Sequence, residues 1–504
     1  MHVCIVGTGA AGWITCLWLA QNPLISRLTI VGSAAIPTIG VGESTTLHFH
    51  RFLEKILPDA GERWRRLAEM DAAIKYGVSY EGWSRRRFLH AFVGCRSNNL
   101  DGYLLGRKPV EEDANAYMMP LHEAIYQNLV CPDPDVQAYS FHVDAKAMIG
   151  CLERLAAGNP RIHHKRTTIV ASDYENDQLL RLRSEDDEWL SADFFVSCIG
   201  QRAFNHTIFK QTYEDYSNVL LTDKAFFMPI EYEDQRRQFH PYTVARSMPH
   251  GWRWITPTRS RIGSGYAFSS RHVSLEAARD DFLADVGDPN AEPRLVDFTP
   301  RKATATFQGN TATLGMASGF LEPLDAPGLN LLLHNLQQLD DLLETIQTRT
   351  DEIAAHQSAL NRNASETFDF WAAFILHQYK LSTRDDTPFW RDHRTVQFQP
   401  YDQILDNLWN VELSQSSSVG EPRKVNFMSR HQMTPYEPCM FYNTTAGRDI
   451  QWPVSINLPL QKHHRPASTP LIHHLDFLAR TRAAPAPCPA RPLSAPPATC
   501  GSAG

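Results

Sequence analysis

The sequence predicts a mixed α/β (α+β) chain, in which a Rossmann-like dinucleotide-binding sheet carries an inserted antiparallel region. Three observations predict it. The chain opens on an apolar run, His2-Val3-Cys4-Ile5-Val6, followed at once by Gly7-Thr8-Gly9-Ala10-Ala11-Gly12 and a helical apolar pattern through Trp13, Cys16, Leu17, Leu19 and Ala20. A second buried strand, Phe194 to Ile199, ends in Gly200 and reads as a parallel return to the same sheet. A glycine-rich stretch, Ala312 to Gly328, leads into a helix whose leucines at 329, 332, 333, 336, 339 and 343 recur at threes and fours.

The first element is the most informative. Strand, G-x-G-x-x-G and helix come in the order a dinucleotide site needs. Gly7 allows the tight turn, Gly9 lets backbone approach a pyrophosphate, and Gly12 lets helix and strand pack closely. The N–H groups of Ala10 and Ala11 open a helix whose positive end faces that pyrophosphate. A second strand follows at Leu28-Thr29-Ile30-Val31. Its end usually carries an acid for the adenosine ribose; here it carries Gly32 and Ser33. The motif therefore indicates a dinucleotide without saying which.

Composition sets the limits. The chain has 504 residues, 43% hydrophobic and 21% charged, enough for a large core and two or three lobes. A net charge of −7 offers no basic surface for nucleic acid. No uninterrupted apolar run reaches membrane-span length. The chain begins directly on a strand, so no signal peptide is expected. Nine cysteines without a C-x-x-C point to buried thiols in a reduced, cytoplasmic protein.

Residues 35 to 46 contain Gly40-Val41-Gly42-Glu43 and read as a loop, either a surface crossover or a backbone strap over a ligand. Lys75 stands in an apolar, strand-like setting. From its neighbours alone it reads as a strand-edge lysine whose ammonium reaches water along its stem. His90 lies between aromatics, with Phe92 two residues on, and reads as a satisfied core histidine. A helix is predicted over 143–157, then two strands of a meander near 169–171 and 179–182. Residues 218 to 270 read as antiparallel strands, and Trp252 and Trp254 share one strand face. Asp325 precedes a helix and reads either as an N-cap or as a catalytic acid. Residues 350–375 are helical, 376–460 irregular and rich in aromatics and prolines, and 481–504 a Pro/Ala-rich disordered tail. No acid or cysteine completes a metal set with His463-His464 or His473-His474, so no metal is expected.

Taken together the motifs resemble those of the flavin-dependent tryptophan halogenases, over roughly residues 1 to 395. The resemblance rests on the Gly7–Gly12 fingerprint followed by Trp13, the Gly40–Glu43 strap, and Ala73-Ile74-Lys75. It extends through Trp252-x-Trp254-x-x-Pro257, Gly263-x-Gly265-Tyr266, Gly315 to Leu324, and Asp386-Thr387-Pro388-Phe389-Trp390. All occur in the family's order and spacing. It implies an FAD-binding domain like that of flavin monooxygenases, joined to a mostly helical substrate lobe. The corresponding division is 1–345 for the flavoprotein core, 346–480 for the substrate-binding lobe and 481–504 for the tail.

The resemblance also implies a chemistry. Reduced FAD, delivered by a separate flavin reductase, reacts with oxygen and a halide to give hypohalous acid. That species passes to a second pocket, where a lysine and a carboxylate halogenate tryptophan, indole or another electron-rich aromatic. Carried over residue by residue, Lys75 and Asp325 are the catalytic pair. Gly7, Gly9, Ala10, Ala11, Gly12, Gly40, Val41, Gly42, Glu43, Gly315 and Leu324 hold the flavin. His90, Phe92, Trp252 and Trp254 line the substrate pocket, and Gly328 binds halide. The implied partners are a transient flavin reductase, a small aromatic substrate and a second copy of the chain.

The departures are chemical. The family's Glu-Ser-Thr-Gly is Asp325-Ala326-Pro327-Gly328 here. Asp325 keeps the charge with about 1.5 Å less reach. Ala326 lacks the hydroxyl, and Pro327 lacks one of two halide-binding N–H groups. Thr256 replaces the isoleucine of the tryptophan signature. Pro327 favours a halide-independent monooxygenase or oxidase of the same fold as the alternative, and Gly32 a non-catalytic flavin-binding relative.

Overall fold

The computed structural model describes residues 1–33, 43–85, 87–92, 121–133, 138–201, 204–409 and 471–483. His2–Val6 is a central strand, with Arg27–Val31 parallel on one side and Phe194–Ser197 parallel on the other. Ile162–Lys165 and Thr311–Thr313 extend the sheet in parallel at its two flanks, and Phe307–Gln308 closes one edge antiparallel, making six strands. The return of Phe194–Ser197 to this sheet is as the sequence predicts.

Burial on both faces explains why His2–Val6 is an unbroken apolar run. Val3 and Ile5 point to one side, into the main core with the helices Ala10–Leu19 and Pro327–Thr348. Cys4 and Val6 point to the other, against Ile169, Leu179 and Leu182. Those residues belong to the predicted meander, Ile169–Glu175, Gln178–Ser184 and Trp189–Ser191. The predicted helix over 143–157 is Ala145–Ala157, with the Asp144 side chain capping Ala147 N–H at 2.8 Å.

The second large sheet has seven strands: Arg294–Asp297, Lys224–Ile230, Ile262–Phe268, Gly251–Pro257, Thr243–Met248, Gly77–Glu81 and Phe88–Ala91, in that order. Every pairing is antiparallel except Thr243–Met248 with Gly77–Glu81. The register sets Tyr80 beside Ala245, Ala245 beside Trp254, and Trp254 beside Gly265, so these four share a face. Small residues there make room for indoles. A Cβ on Gly265 would lie 2.2 Å from the Trp254 ring. This face packs on the helix Ile353–Lys380 through Phe370, Trp371 and Phe374. The opposite face, with Phe226, Tyr266 and Phe268, is covered by Leu275–Val286.

Two expectations are corrected. Residues 376–460 read as irregular, yet Ile353–Lys380 runs past 376, and Pro388–Thr395 and Gln399–Trp409 are also helices. Pro388 occupies the first helical turn, where its missing N–H costs nothing, and Phe389, Trp390 and His393 bury one face. Residues 35 to 46 read as a loop throughout, but Glu43–Ser44 is a short strand. It joins Ser140–Val143 and Ala73–Lys75 in a three-stranded antiparallel sheet. Gly40, Val41, Gly42, residues 410–470 and residues 484–504 of the predicted tail lie outside the described residues, whereas 481–483, expected to be disordered, continue the helix His474–Ala483. Among the described residues no helix is long and apolar enough to cross a membrane.

Candidate active site

The nucleotide cradle is built by three glycines with different duties. Gly7 has φ 120°, and a Cβ there would lie 2.5 Å from the Cys198 carbonyl oxygen. A Cβ on Gly12 would lie 1.8 Å from the Gly7 carbonyl oxygen, so helix and strand meet too closely for any side chain. A Cβ on Gly9 would meet nothing within 4 Å. That open space lies where the helix Ala10–Leu19 begins without a side-chain cap, leaving the N–H groups of its first turn available. Gly315, at φ 63°, comes against the same turn, where its Cβ would lie 2.6 Å from that of Ala11. The open cradle fits a dinucleotide pyrophosphate. Gly32 also has a steric reason to be glycine: a Cβ there would lie 2.2 Å from Thr8 Oγ1.

Lys75 is buried rather than edge-exposed. Its partner across the small sheet is Ser140, which bonds the Thr45-Thr46 segment from the other side. The ammonium therefore points into the fold and donates to the Thr45 carbonyl at 3.0 Å. Thr45 follows Glu43–Ser44 directly, so the chain leaving the Gly40–Glu43 stretch ends on the lysine. The Phe92 ring lies 5.0 Å from Nζ. Burial lowers the Lys75 pKa to about 8, with Asp325 pulling the other way.

Asp325 is not an N-cap. The cap position of Pro327–Thr348 belongs to Ala326, and the Asp325 side chain turns away to other partners. Tyr80 Oη donates to Oδ2, and His90 Nδ1 donates to Oδ1 at 2.9 Å. The hairpin of Gly77–Glu81 and Phe88–Ala91 explains how one carboxylate meets both. Val78 pairs with His90 and Tyr80 with Phe88, which puts Tyr80 and His90 on one face as diagonal neighbours. Burial pushes the Asp325 carboxyl up, but His90, Tyr80 and Lys75 together hold it below the usual carboxylate range. His90 is thus a partner of the carboxylate rather than a core histidine satisfied elsewhere. Asp325 and Ala326 both hold φ near 59°, two consecutive left-handed residues without glycine.

Trp252 and Trp254 are buried side by side with ring centroids 6.0 Å apart. Trp252 donates from Nε1 to Glu322 at 3.0 Å. Glu322 also accepts from Thr222 at 2.5 Å and from Tyr379 at 2.9 Å. Burial raises its pKa to about 7 despite those three donors. The Leu324 side chain packs in the same aromatic core. Gly328 is exposed in the first turn of Pro327–Thr348.

Sequence reasoning missed Tyr80, Thr45, Glu322 and Tyr379. Tyr80 had a signal, since it lies two residues from Val78 on a strand whose partner carries His90. Glu322 lies inside the Gly315–Leu324 stretch and carries no signal of its own there. His474, considered only as a metal ligand, instead accepts a hydrogen bond from the Ile74 N–H at 2.9 Å.

A dinucleotide cradle on one sheet, and a buried lysine and carboxylate beside a tryptophan-faced second sheet, give the plan of a flavin-dependent halogenase. The tryptophan halogenase family model matches residues 2–430, and the chain belongs to that family. It is 27% identical over 437 residues to the tryptophan 7-halogenase RebH of Lentzea aerocolonigenes, covering 78% of this chain and 79% of that one. It is 25% identical over 433 residues to the tryptophan 7-halogenase KtzQ of Kutzneria sp., covering 79% of each. The fold matches the crystal structure of a tryptophan halogenase from Shewanella frigidimarina with a TM-score of 0.78 at 20% identity, over 95% of this chain and 92% of that one.

Proposed function

We propose that Lys75 and Asp325 are the catalytic pair of this FAD-dependent halogenase, and that its substrate is tryptophan, indole or a related electron-rich ring. The observation that carries this reading is a fully buried lysine that senses a carboxylate held by two other donors. Bound at the cradle, reduced FAD with oxygen and halide supplies hypohalous acid. The residues that would hold the flavin are Gly7, Gly9, Ala10, Ala11, Gly12 and Gly315, with Leu324 and the Gly40–Glu43 strap.

Lys75 receives the oxyhalogen species as a hydrogen-bond donor from an apolar wall, where its field is little screened. Its lowered pKa suits proton transfer near neutral pH. Asp325 stays ionised and accepts the proton that the ring loses when halogen replaces hydrogen. Tyr80 and His90 fix the direction of that carboxylate, which offsets its short reach. Phe92, Trp252 and Trp254 provide apolar surface around the aromatic substrate. Gly328 offers a helix-terminal N–H to halide, and Pro327 offers none. Bromide, more easily oxidised and less dependent on a tight site, is the preferred halide under this reading.

A separate flavin reductase is the proposed transient partner, and a homodimer in the cytoplasm is the proposed setting. The test is a mass-spectrometric assay of the purified chain with FAD, a generic reductase, NADH and oxygen. Bromide and chloride are run in parallel against tryptophan, indole and a panel of aromatics. A halogen isotope pattern that disappears in Lys75→Ala, with FAD binding intact, is the expected result. A hydroxylated product indifferent to halide, or halogenation surviving in Lys75→Ala, overturns the assignment.

A further inference from the structure

We infer that His474, on the segment that carries Ile472–His473 and the helix His474–Ala483, is a positioning residue for Lys75. That segment lies past residue 430, where the match to the tryptophan halogenase family model ends. The inference deepens the proposed function and rests on Lys75 being the catalytic lysine.

Among the described residues Ala73–Lys75 is the edge strand of its three-stranded sheet, with Ser140–Val143 as its only strand neighbour. An edge strand needs partners for its outward backbone groups, above all where it is buried. Three unlike groups close that edge. Arg259 Nε donates to the Ala72 carbonyl at 2.7 Å, Tyr76 N–H donates to the Pro241 carbonyl at 2.8 Å, and His474 Nε2 accepts the Ile74 N–H at 2.9 Å. The last of these acts on the residue next to Lys75. An Nε2 that accepts must be unprotonated, so the ring is neutral with its proton on Nδ1. Burial keeps it so, lowering the His474 pKa to about 3.

The imidazole is itself fixed. It stacks on Phe239 with centroids 4.3 Å apart, and the His474 N–H donates to the Asn128 carbonyl at 2.9 Å. Ile472 pairs with Val130, and Phe477 packs edge-on against Trp64 at 5.3 Å. The charged group facing the ring is Arg259, and the titratable ones are the histidines 473, 240 and 142, each with its pKa lowered by burial. The segment is anchored on several sides and presents one acceptor to the lysine strand.

The test compares His474→Ala, which removes the acceptor, with His474→Gln, whose amide oxygen restores one. Hydrogen exchange by mass spectrometry reads the amide of Ile74 in the full chain. Steady-state halogenation gives kcat and KM, and titration gives FAD affinity. In His474→Ala, protection at Ile74 is lost and kcat falls at least tenfold, with KM and FAD affinity within twofold; His474→Gln restores both. Unchanged protection at Ile74, or a wild-type kcat in His474→Ala, overturns the inference. A wild-type chain that halogenates nothing, with protection still lost on His474→Ala and restored by His474→Gln, defeats the proposed function while supporting the hold on the Lys75 strand.

Discussion

Lys75 and Asp325 sense each other's charge but bond to other groups: the ammonium to the Thr45 carbonyl, the carboxylate to Tyr80 and His90. An ion pair between them would neutralise both. Held apart, each keeps its chemistry, and the lysine keeps the cost of being charged in an apolar place.

That cost is measurable. Burial lowers the Lys75 pKa from 10.5 to about 8, so between those values the unfolded chain binds the proton that the folded chain gives up. Stability therefore rises through that window, and the penalty is fully present below pH 8. Lys75→Met should stabilise the fold at pH 7 by roughly 1–3 kcal/mol, with the gain fading toward pH 10.5. Urea denaturation at pH 7 and pH 10 checks this. The wild-type kcat should decline above about pH 8 as the lysine loses its proton. A destabilised Lys75→Met at pH 7 would show that the ammonium is held by more than it loses.

Glu322 has the opposite sign. Its pKa is raised from 4.5 to about 7, so the folded state holds a proton that the unfolded chain releases between those values. Stability falls as pH rises through that window and stays lowered above it. Glu322→Gln should remove about 2 kcal/mol of the difference in unfolding free energy between pH 4.5 and pH 8. Paired denaturation curves at the two pH values decide it. An unchanged difference would mean that Thr222, Trp252 and Tyr379 hold the carboxylate ionised throughout.

Ala326 occupies the left-handed region at φ 59° and ψ 48°, next to a second such residue. For an alanine that conformation costs about 1–2 kcal/mol, most of which glycine avoids. Ala326→Gly should raise the unfolding free energy by roughly 1 kcal/mol. Thermal melts measure the gain. Halogenation should persist if Tyr80 and His90, rather than the turn, orient Asp325; loss of kcat would assign that duty to the backbone.

Gly265 has no room for a methyl group, because Trp254 and the Phe226 carbonyl would lie 2.2 and 2.5 Å from its Cβ. Gly265→Ala should destabilise the chain by about 1–3 kcal/mol and shift its tryptophan fluorescence. Wild-type stability and an unshifted spectrum would contradict the packing of the tryptophan face.

Three strands of the parallel sheet, His2–Val6, Arg27–Val31 and Phe194–Ser197, were legible because they are largely apolar and glycine follows each closely, whereas Ile162–Lys165, with two histidines and a lysine, carries neither signal. Lys75 was not legible from its neighbours. A buried and an edge lysine share the same flanking residues, and only the Ser140 pairing decides which way the stem points. Resemblance, rather than periodicity, singled it out. Asp325 was ambiguous for a related reason, since a residue before a helix reads as a cap until its partners are known. The helices after Lys380 were obscured by prolines, which mark a first turn as readily as a break. Tyr80 and His90 required a register, which no single strand reveals.

The bond from Ile74 to His474 joins residues 400 positions apart. Synthesis proceeds from the N-terminus, so the nucleotide cradle, which draws on Cys198 and Gly315, has all its parts before the lysine strand gains the His474 acceptor. A nascent or prematurely terminated product would own a cofactor site before it owned a finished halogenating pocket. The order of emergence thus sets the parts of the cofactor cradle ahead of the last partner of the lysine strand.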